Sequence, residues 1–393
     1  MSPITSVFNN LTKIQKYLVI AILVVLMYIA TSTISYSLLI KSFVGKQSED
    51  LASSIPTPSS IVEEDPKEPK TEECPLNGRM HTKKAKAAWD LRRPLAIMVE
   101  NHSEARPQSG LTSADVIYEA VAEGGITRFM AVFLCNLSEV QVGPVRSART
   151  YYLDWLSEYD ALYAHVGGAN TPGPANALGQ IIQFDLKSLN QFGIGYPTYW
   201  RDYQRLGKPV ATEHTMYSTT KKLWEVGAKK EWTATDSSGL RWDSEFEKWL
   251  FKDDSASDAS AKLITVNFWE GKGDYQVEWI YDGACNCYKR KNGGADHTDL
   301  NNKQQISPKN VVIQFMRESR ANDGYEGNVH LLYANKGQGK ALILQDGKVI
   351  EGQWVKPNRQ SREKFIDSEG SEIEFNRGQL WIQTVPEGSK VSY

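Results

Sequence analysis

The sequence predicts an α+β or α/β layer domain followed by a mostly β domain, both behind one N-terminal transmembrane helix. Three observations carry this prediction. Residues 17–40 (YLVIAILVVLMYIATSTISYSLLI) hold no charge. After residue 93 the hydrophobic pattern reads strand, hairpin, helix, strand, the mixed order of a layered fold. After residue 261 short apolar or alternating runs follow at close spacing, separated by turns such as Asp282-Gly283, Asn292-Gly293, Lys336-Gly337 and Asp346-Gly347. That pattern suits a small barrel or sandwich-like domain.

Taken in order, residues 1–16 form a short cytoplasmic N-terminus. As a helix, the uncharged run would span roughly 36 Å at about 1.5 Å per residue, enough for a hydrocarbon core of about 30 Å with some tilt. Lys13 and Lys16 precede it, and Lys41 and Lys46 follow. The short basic N-terminus favours an N-inside orientation with the main domains extracytoplasmic. A cleaved signal peptide is the competing reading. Its apolar core is usually shorter, about 7–15 residues, and ends in a small-residue cleavage site; Thr31-Ser32-Thr33 matches that poorly. Residues 41–88 contain Pro56, Pro58, Pro66, Pro69 and Pro75 among many Ser and Glu, a composition expected to form an extended or disordered linker.

Residues 89–252 form the expected N-terminal α/β domain. Leu95 to Val99 is a continuous apolar run, read as a buried strand. Asp115–Ala122 and Arg128–Cys135 read as a hairpin across Gly124-Gly125, with a five-residue loop longer than the tightest type. Ser147 is the expected N-cap of a helix that places Tyr152, Leu153, Leu156 and Tyr159 on one face and stops near Glu158. A strand over 161–166 ends at Gly167-Gly168. Helices are expected over 173–184 and 218–226, with a loop-rich aromatic stretch between them. The small polar segment 253–261 marks the boundary to the mostly β domain, 253–393, whose strands are expected near 264–269, 276–281, 311–316, 329–333, 340–344, 348–354 and 379–384. The net charge of −2 argues against a nucleic-acid binder, which normally shows a strongly basic face. Of the four cysteines, Cys74 and Cys135 either form a bridge or remain separate thiols. Cys285 and Cys287 are too close for a zinc-type pair.

The most suggestive cluster is GPVRSAR. Arg146 and Arg149 stand three apart at an expected helix start, where free N–H groups favour an anion, and Arg128 can join them. Two guanidiniums suit a phosphate, pyrophosphate or carboxylate. They suit internal pairing with Glu100, Glu119 or Glu123 equally well, because buried arginine needs a partner. A second cluster is His165 to Asn170 (HVGGAN), where glycines let backbone approach a ligand. With His102 and His214 this makes three histidines that could converge. Their spacing matches no established ligand pattern, so no metal is expected, and nothing identifies a cofactor. Arg201 and Asp202, in the aromatic loop, can line a groove for a sugar or peptide or simply pack. His297-x-Asp299 can orient an imidazole for acid–base work or brace a loop. There is no nucleophile elbow, no Walker loop and no His-Glu-x-x-His.

The strings RPLAIMVENHSEARPQSGLTSADVIYEAVAEGGITRFMAVF and VGPVRSARTYYLDWLSEYDALYAHVGG resemble the YerB-like bacterial family. The likeness continues through YDGACNCYKRKNGGADHTD, KNVVIQF, GKVIEGQWVKPNR and GQLWIQTVP, covering nearly all of the chain from about residue 90. The family comprises lipoproteins or membrane-anchored proteins with two adjoining domains of unknown function. The resemblance implies an extracytoplasmic location and gives no reaction. Two departures stand out. Cys285 and Cys287 occupy a loop where small polar residues are expected, and no lipid-attachment cysteine follows the apolar run.

Two functions of different class follow. The first is a non-catalytic envelope protein binding an anionic or glycan wall component, or a protein partner, through Arg146, Arg149, His165 and the aromatic loop. The second is an enzyme acting on an anionic lipid-linked or cell-wall glycan, with an arginine-lined pyrophosphate site and a divalent metal held by Asp115 and Glu119. Convergence of Asp115, Arg128, Arg146 and Arg149 on one open cavity would favour the enzyme. Burial of each arginine against Glu119 or Glu123 would favour the binding protein and end the arginine-site hypothesis.

Overall fold

The computed structural model describes residues 12–18, 20, 22, 24, 27–31, 57–255, 259–324 and 329–393. The chain divides into two units, Met1–Pro56 and Thr57–Tyr393. In the first, residues 13–18 are helical. No helix among the described residues is long and apolar enough to cross a membrane. Much of the expected span, including residues 32–40, lies outside the described residues, as does the linker from 41 to 56.

The second unit is organised by one ten-stranded mixed sheet. Its strands in chain order are β1 (Leu95–Glu100), β2 (Val116–Glu123), β3 (Ile126–Phe133), β4 (Leu162–His165), β5 (Ser188–Asn190), β6 (Asn310–Met316), β7 (Gly337–Gln345), β8 (Lys348–Lys356), β9 (Lys364–Asp367) and β10 (Leu380–Pro386). Across the sheet they run β9-β8-β7-β6-β10-β2-β3-β1-β4-β5. Every residue of β1 and β2 is buried, which is why they read as continuous apolar runs: layers cover both faces. On one side, helix Thr150–Leu156 lies over the hairpin. Its Tyr152 hydroxyl donates to Arg128 O at 2.6 Å, and Trp155 stacks on Tyr118. On the other side, a five-stranded sheet built around Val277–Asp282 and Cys287–Asn292 brings Trp279 against Trp381.

The two-part layout holds as a mixed N-terminal half and a mostly β C-terminal half. However, the later strands do not close a barrel of their own. β10 lies parallel to both β6 and β2, pairing Leu380 with Val116 and Ile382 with Tyr118, so one sheet runs through both halves. Apolar runs report burial, not neighbours, and this adjacency leaves no trace in them.

Residues 72–88 are not the loose end of a linker. Glu72–Glu73 pairs with Met80–His81, and helix Lys83–Trp89 is capped by the Thr82 side chain. Cys74 and Leu76 are fully buried, and Cys74 is bonded to Cys135 with a Cα–Cα distance of 6.0 Å. The proline and acid content hides a short anchored element. Cys285 and Cys287 are also bonded.

Two further expectations change. The helix after GPVRSAR starts at Thr150, not at Ser147, with extended Arg149 as its uncapped N-cap residue, so Arg146 and Arg149 precede it and share no helical face. The hairpin loop is two residues, Gly124 and Gly125, both with positive φ, the geometry a tight turn demands.

Two buried ion-pair networks join the halves. Arg290 donates to both Glu119 oxygens at 2.8 and 2.9 Å. The Trp381 indole N–H (2.9 Å), Gln383 (3.0 Å) and the Thr127 hydroxyl (2.9 Å) complete the Glu119 carboxylate. Glu158 accepts from Lys356 at 2.6 Å and Arg362 at 3.0 Å.

Candidate functional site

β1 ends at Glu100, and the chain turns through a short 3-10 segment, Ser103–Ala105, in which the Glu104 N–H donates to the His102 ring. Beside it, β2 carries a bulge between Val121 and Glu123; bulges re-aim side chains at strand ends. Arg128 of β3 stands opposite Glu100 in register. The extended segment before helix Thr150–Leu156 is tied to β1 by Arg146 N donating to Met98 O at 2.9 Å, which delivers Arg146 and Arg149 to the same sheet end. A second 3-10 turn, Thr212–His214, places His214 against His102, with ring centroids 4.8 Å apart and planes tilted by 17°.

These elements enclose a cleft of about 440 Å³ lined by Glu100, His102, Glu104, Glu123, Arg128, Arg146, Arg149, Glu213 and His214, with Ile126, Ser147 and Ala211. Each of its arginines faces a carboxylate. Glu123 pairs with Arg128 at 2.8 Å and with Arg149 Nε. Arg146 Nε pairs with Glu100. Arg128 also reaches Ser147 O at 3.3 Å, and Arg149 reaches Ala148 O at 2.6 Å. The four carboxylates of the lining outnumber the three guanidiniums by one. Burial pushes the Glu100 carboxyl up, but His214, Arg128 and Arg146 together outweigh it and hold the group at about 2. Glu123 is treated alike: burial raises it, and Arg128 and Arg149 pull it below its ordinary value. His214 is 4% exposed. Its Nδ1 makes no hydrogen bond and lies 3.7 Å from Glu100 Oε2, while its Nε2 is 3.9 Å from Glu104 Oε2.

Of the residues singled out in the sequence, Arg128, Arg146, Arg149, Glu123, His102 and His214 meet here. The others stand elsewhere. His165 is buried, with Nδ1 at 2.7 Å from Gly167 O and Nε2 at 2.8 Å from Ser188 Oγ; burial pushes its imidazole down to about 4, against a weaker opposing effect from the Gly167 carbonyl. Asn170 is exposed. Arg201 braces its loop through Thr215 Oγ1 at 3.2 Å, and Asp202 accepts from Gln204 N at 3.1 Å. His297 is sealed between Arg290 and Gln108, the latter at 2.7 Å. Asp299 accepts from Gly110 N (3.0 Å) and from Thr112 N and Oγ1 (each 2.9 Å). Asp115, one of the two carboxylates expected to hold a metal, accepts instead from Asn77, Leu134 N and Cys135 N at 2.6, 2.6 and 3.0 Å. Burial raises its pKa above the usual aspartate value, against those hydrogen bonds. Glu119, the other, belongs to the closed network with Arg290. Glu104 is the cleft residue that sequence reasoning missed. The signal was present, since His102-x-Glu104 directly follows a buried strand.

Residues 78–233 match the model of the "Protein of unknown function (DUF3048) N-terminal domain", and residues 264–382 match that of its C-terminal domain. The whole cleft falls within the first match. Over 298 residues the chain is 30% identical to a protein of Bacillus subtilis (strain 168) named "Putative lipoprotein YerB", covering 75% of this chain and 82% of that protein. The crystal structure of the Bacillus subtilis YerB protein matches with a TM-score of 0.68 at 28% identity, over 82% of this chain and 100% of that one.

Proposed function

The chain belongs to the YerB-like family with paired DUF3048 domains, and on that premise we propose that it is a membrane-tethered, extracytoplasmic binding or accessory protein of the bacterial envelope. Its relative is named a lipoprotein. This chain has no cysteine before Cys74, and the uncharged run 17–40 takes the tethering role as a single span with the N-terminus inside. The cleft is the binding site.

One observation carries the binding reading: each arginine of the cleft already faces an internal carboxylate. A pyrophosphate would have to displace Glu123 from Arg128 and Arg149, or Glu100 from Arg146, leaving a buried carboxylate uncompensated. A ligand with both signs of charge avoids that cost, because its carboxylate and its amine can extend the existing pairs. Wall stem peptides have this chemistry. The enzyme reading required Asp115 in the same cavity as the arginines, and Asp115 sits beside the Cys74–Cys135 bridge instead.

The test is isothermal titration of the full-length chain, in mild detergent, with muropeptides and with pyrophosphate. Saturable heat with a muropeptide, lost in Arg149→Ala, is expected, with none from pyrophosphate. Saturable pyrophosphate binding lost in Arg146→Ala would overturn the reading.

A further inference from the structure

The geometry points to a divalent transition-metal site of the zinc class formed by His102, Glu104 and His214. One ligand atom from each lies within 4.8 Å of the other two. Zinc bonds of about 2.0–2.1 Å require those atoms to close further, and the side chains alone can supply the movement. The Glu104 side chain is 59% exposed and swings freely. His102 gives up only a 3.2 Å contact with Glu104 N, which water can replace. The two imidazoles are stacked nearly parallel, so the half-buried His102 ring must also rotate to aim its lone pair at the ion.

His214 is placed to serve as a ligand through Nε2. It is buried, its Nδ1 has no hydrogen bond, and Glu100 stands 3.7 Å behind that nitrogen. Its Nε2 faces Glu104 at 3.9 Å. A metal-binding histidine donates its other ring N–H to a carboxylate, and Glu100 stands where a closing of the 3.7 Å gap would make that bond. Arg146 in turn holds Glu100 in place. The excess carboxylate of the lining favours a cation. Two imidazoles and one carboxylate select zinc, cobalt or nickel over magnesium or calcium, and three protein donors leave a position open to a ligand in the cleft. Among the described residues the other cluster of potential ligands, Cys74, Asp115 and Cys135, has both cysteines in a disulfide.

This inference does not rest on the binding reading above, because it is tested with metal alone. The full-length chain, stripped with EDTA, is titrated with Co²⁺ and followed by visible absorption. Ligand-field bands of a low-coordinate site, saturating at one equivalent and displaced by Zn²⁺ but not Mg²⁺, are expected. Glu104→Gln changes an exposed side chain and His102→Ala a half-buried one; both should abolish the bands, with circular dichroism confirming that each variant is folded. Glu100→Gln should weaken binding about 10–100-fold through the lost support of His214. A folded wild-type chain showing no such bands would overturn the proposal. Unchanged bands in both His102→Ala and Glu104→Gln would overturn it too, placing the metal elsewhere.

Discussion

Glu119 and Glu123 stand four residues apart on β2, and each gathers arginine, yet they end in different surroundings. Glu119 is fully buried. Arg290, Trp381, Gln383 and Thr127 fill its hydrogen-bonding capacity, and the rings of Phe129, Trp279 and Trp381 surround the Arg290 guanidinium. Glu123, beyond the bulge, holds Arg128 and Arg149 at the wall of an open cleft. Two short turns carrying His102 and His214 wall that cleft. The same residue types therefore weld two halves in one place and line a cleft in the other. Covering layers, not charge, make the difference.

The largest test of that contrast is Arg290→Met. Removing one partner of a fully buried pair strands the other, at a cost of about 3–5 kcal/mol. Urea unfolding of the full-length chain should show this as a lower midpoint. A loss below about 1 kcal/mol would mean that water reaches Glu119 and that the network is not closed.

Acid should act next, and on the cleft. Glu100 is held at about 2 against an ordinary value of 4.5. A depressed carboxylate contributes stability that is complete above its unfolded pKa and is lost as pH falls through the folded one. The wild type should therefore lose up to about 3 kcal/mol relative to Glu100→Gln as pH drops from near 4.5 to 2. A gap between the two proteins that stays constant across this range would sink the assignment. Glu363, buried beside Glu158, has the opposite sign: its pKa is raised by burial and by that neighbour, so its contribution weakens as pH rises.

Glu123→Gln should cost less than Arg290→Met, about 1–3 kcal/mol, because the freed arginines lie where water can enter. A cost matching that of Arg290→Met would erase the distinction between the two sites. Glu104→Gln should be nearly silent in stability, within about 0.5 kcal/mol, as befits a side chain that is 59% exposed. A large loss there would make Glu104 structural.

The strands are legible because burial on both faces writes itself as apolar runs. Leu95 to Val99 falls one residue short of β1 at its end, and Asp115 to Ala122 is offset from β2 by a residue at each end. Their order in the sheet is not legible: β10 joins β2 across more than 250 positions, and nothing in GQLWIQTVP names its neighbour. The arginine half of the cleft is visible in VRSAR, together with the pairing to Glu100 and Glu123. The histidine half depends on a loop that carries His214 back to His102 from more than 100 residues away, through a stretch without periodicity. His165 misled because a strand-end histidine before two glycines suits a ligand site and a hydrogen-bonded brace equally well.

The most direct test of the central claim, that the cleft arginines are already spent on internal carboxylates, is a double-mutant cycle between Glu123 and Arg149 without ligand. Urea unfolding of Glu123→Gln, Arg149→Met and the double variant yields the coupling energy. The account predicts about 1–3 kcal/mol, the range for residues in contact. Coupling near zero, with both single variants as stable as the wild type, would contradict it and return Arg149 to the pool of groups free to hold an anion.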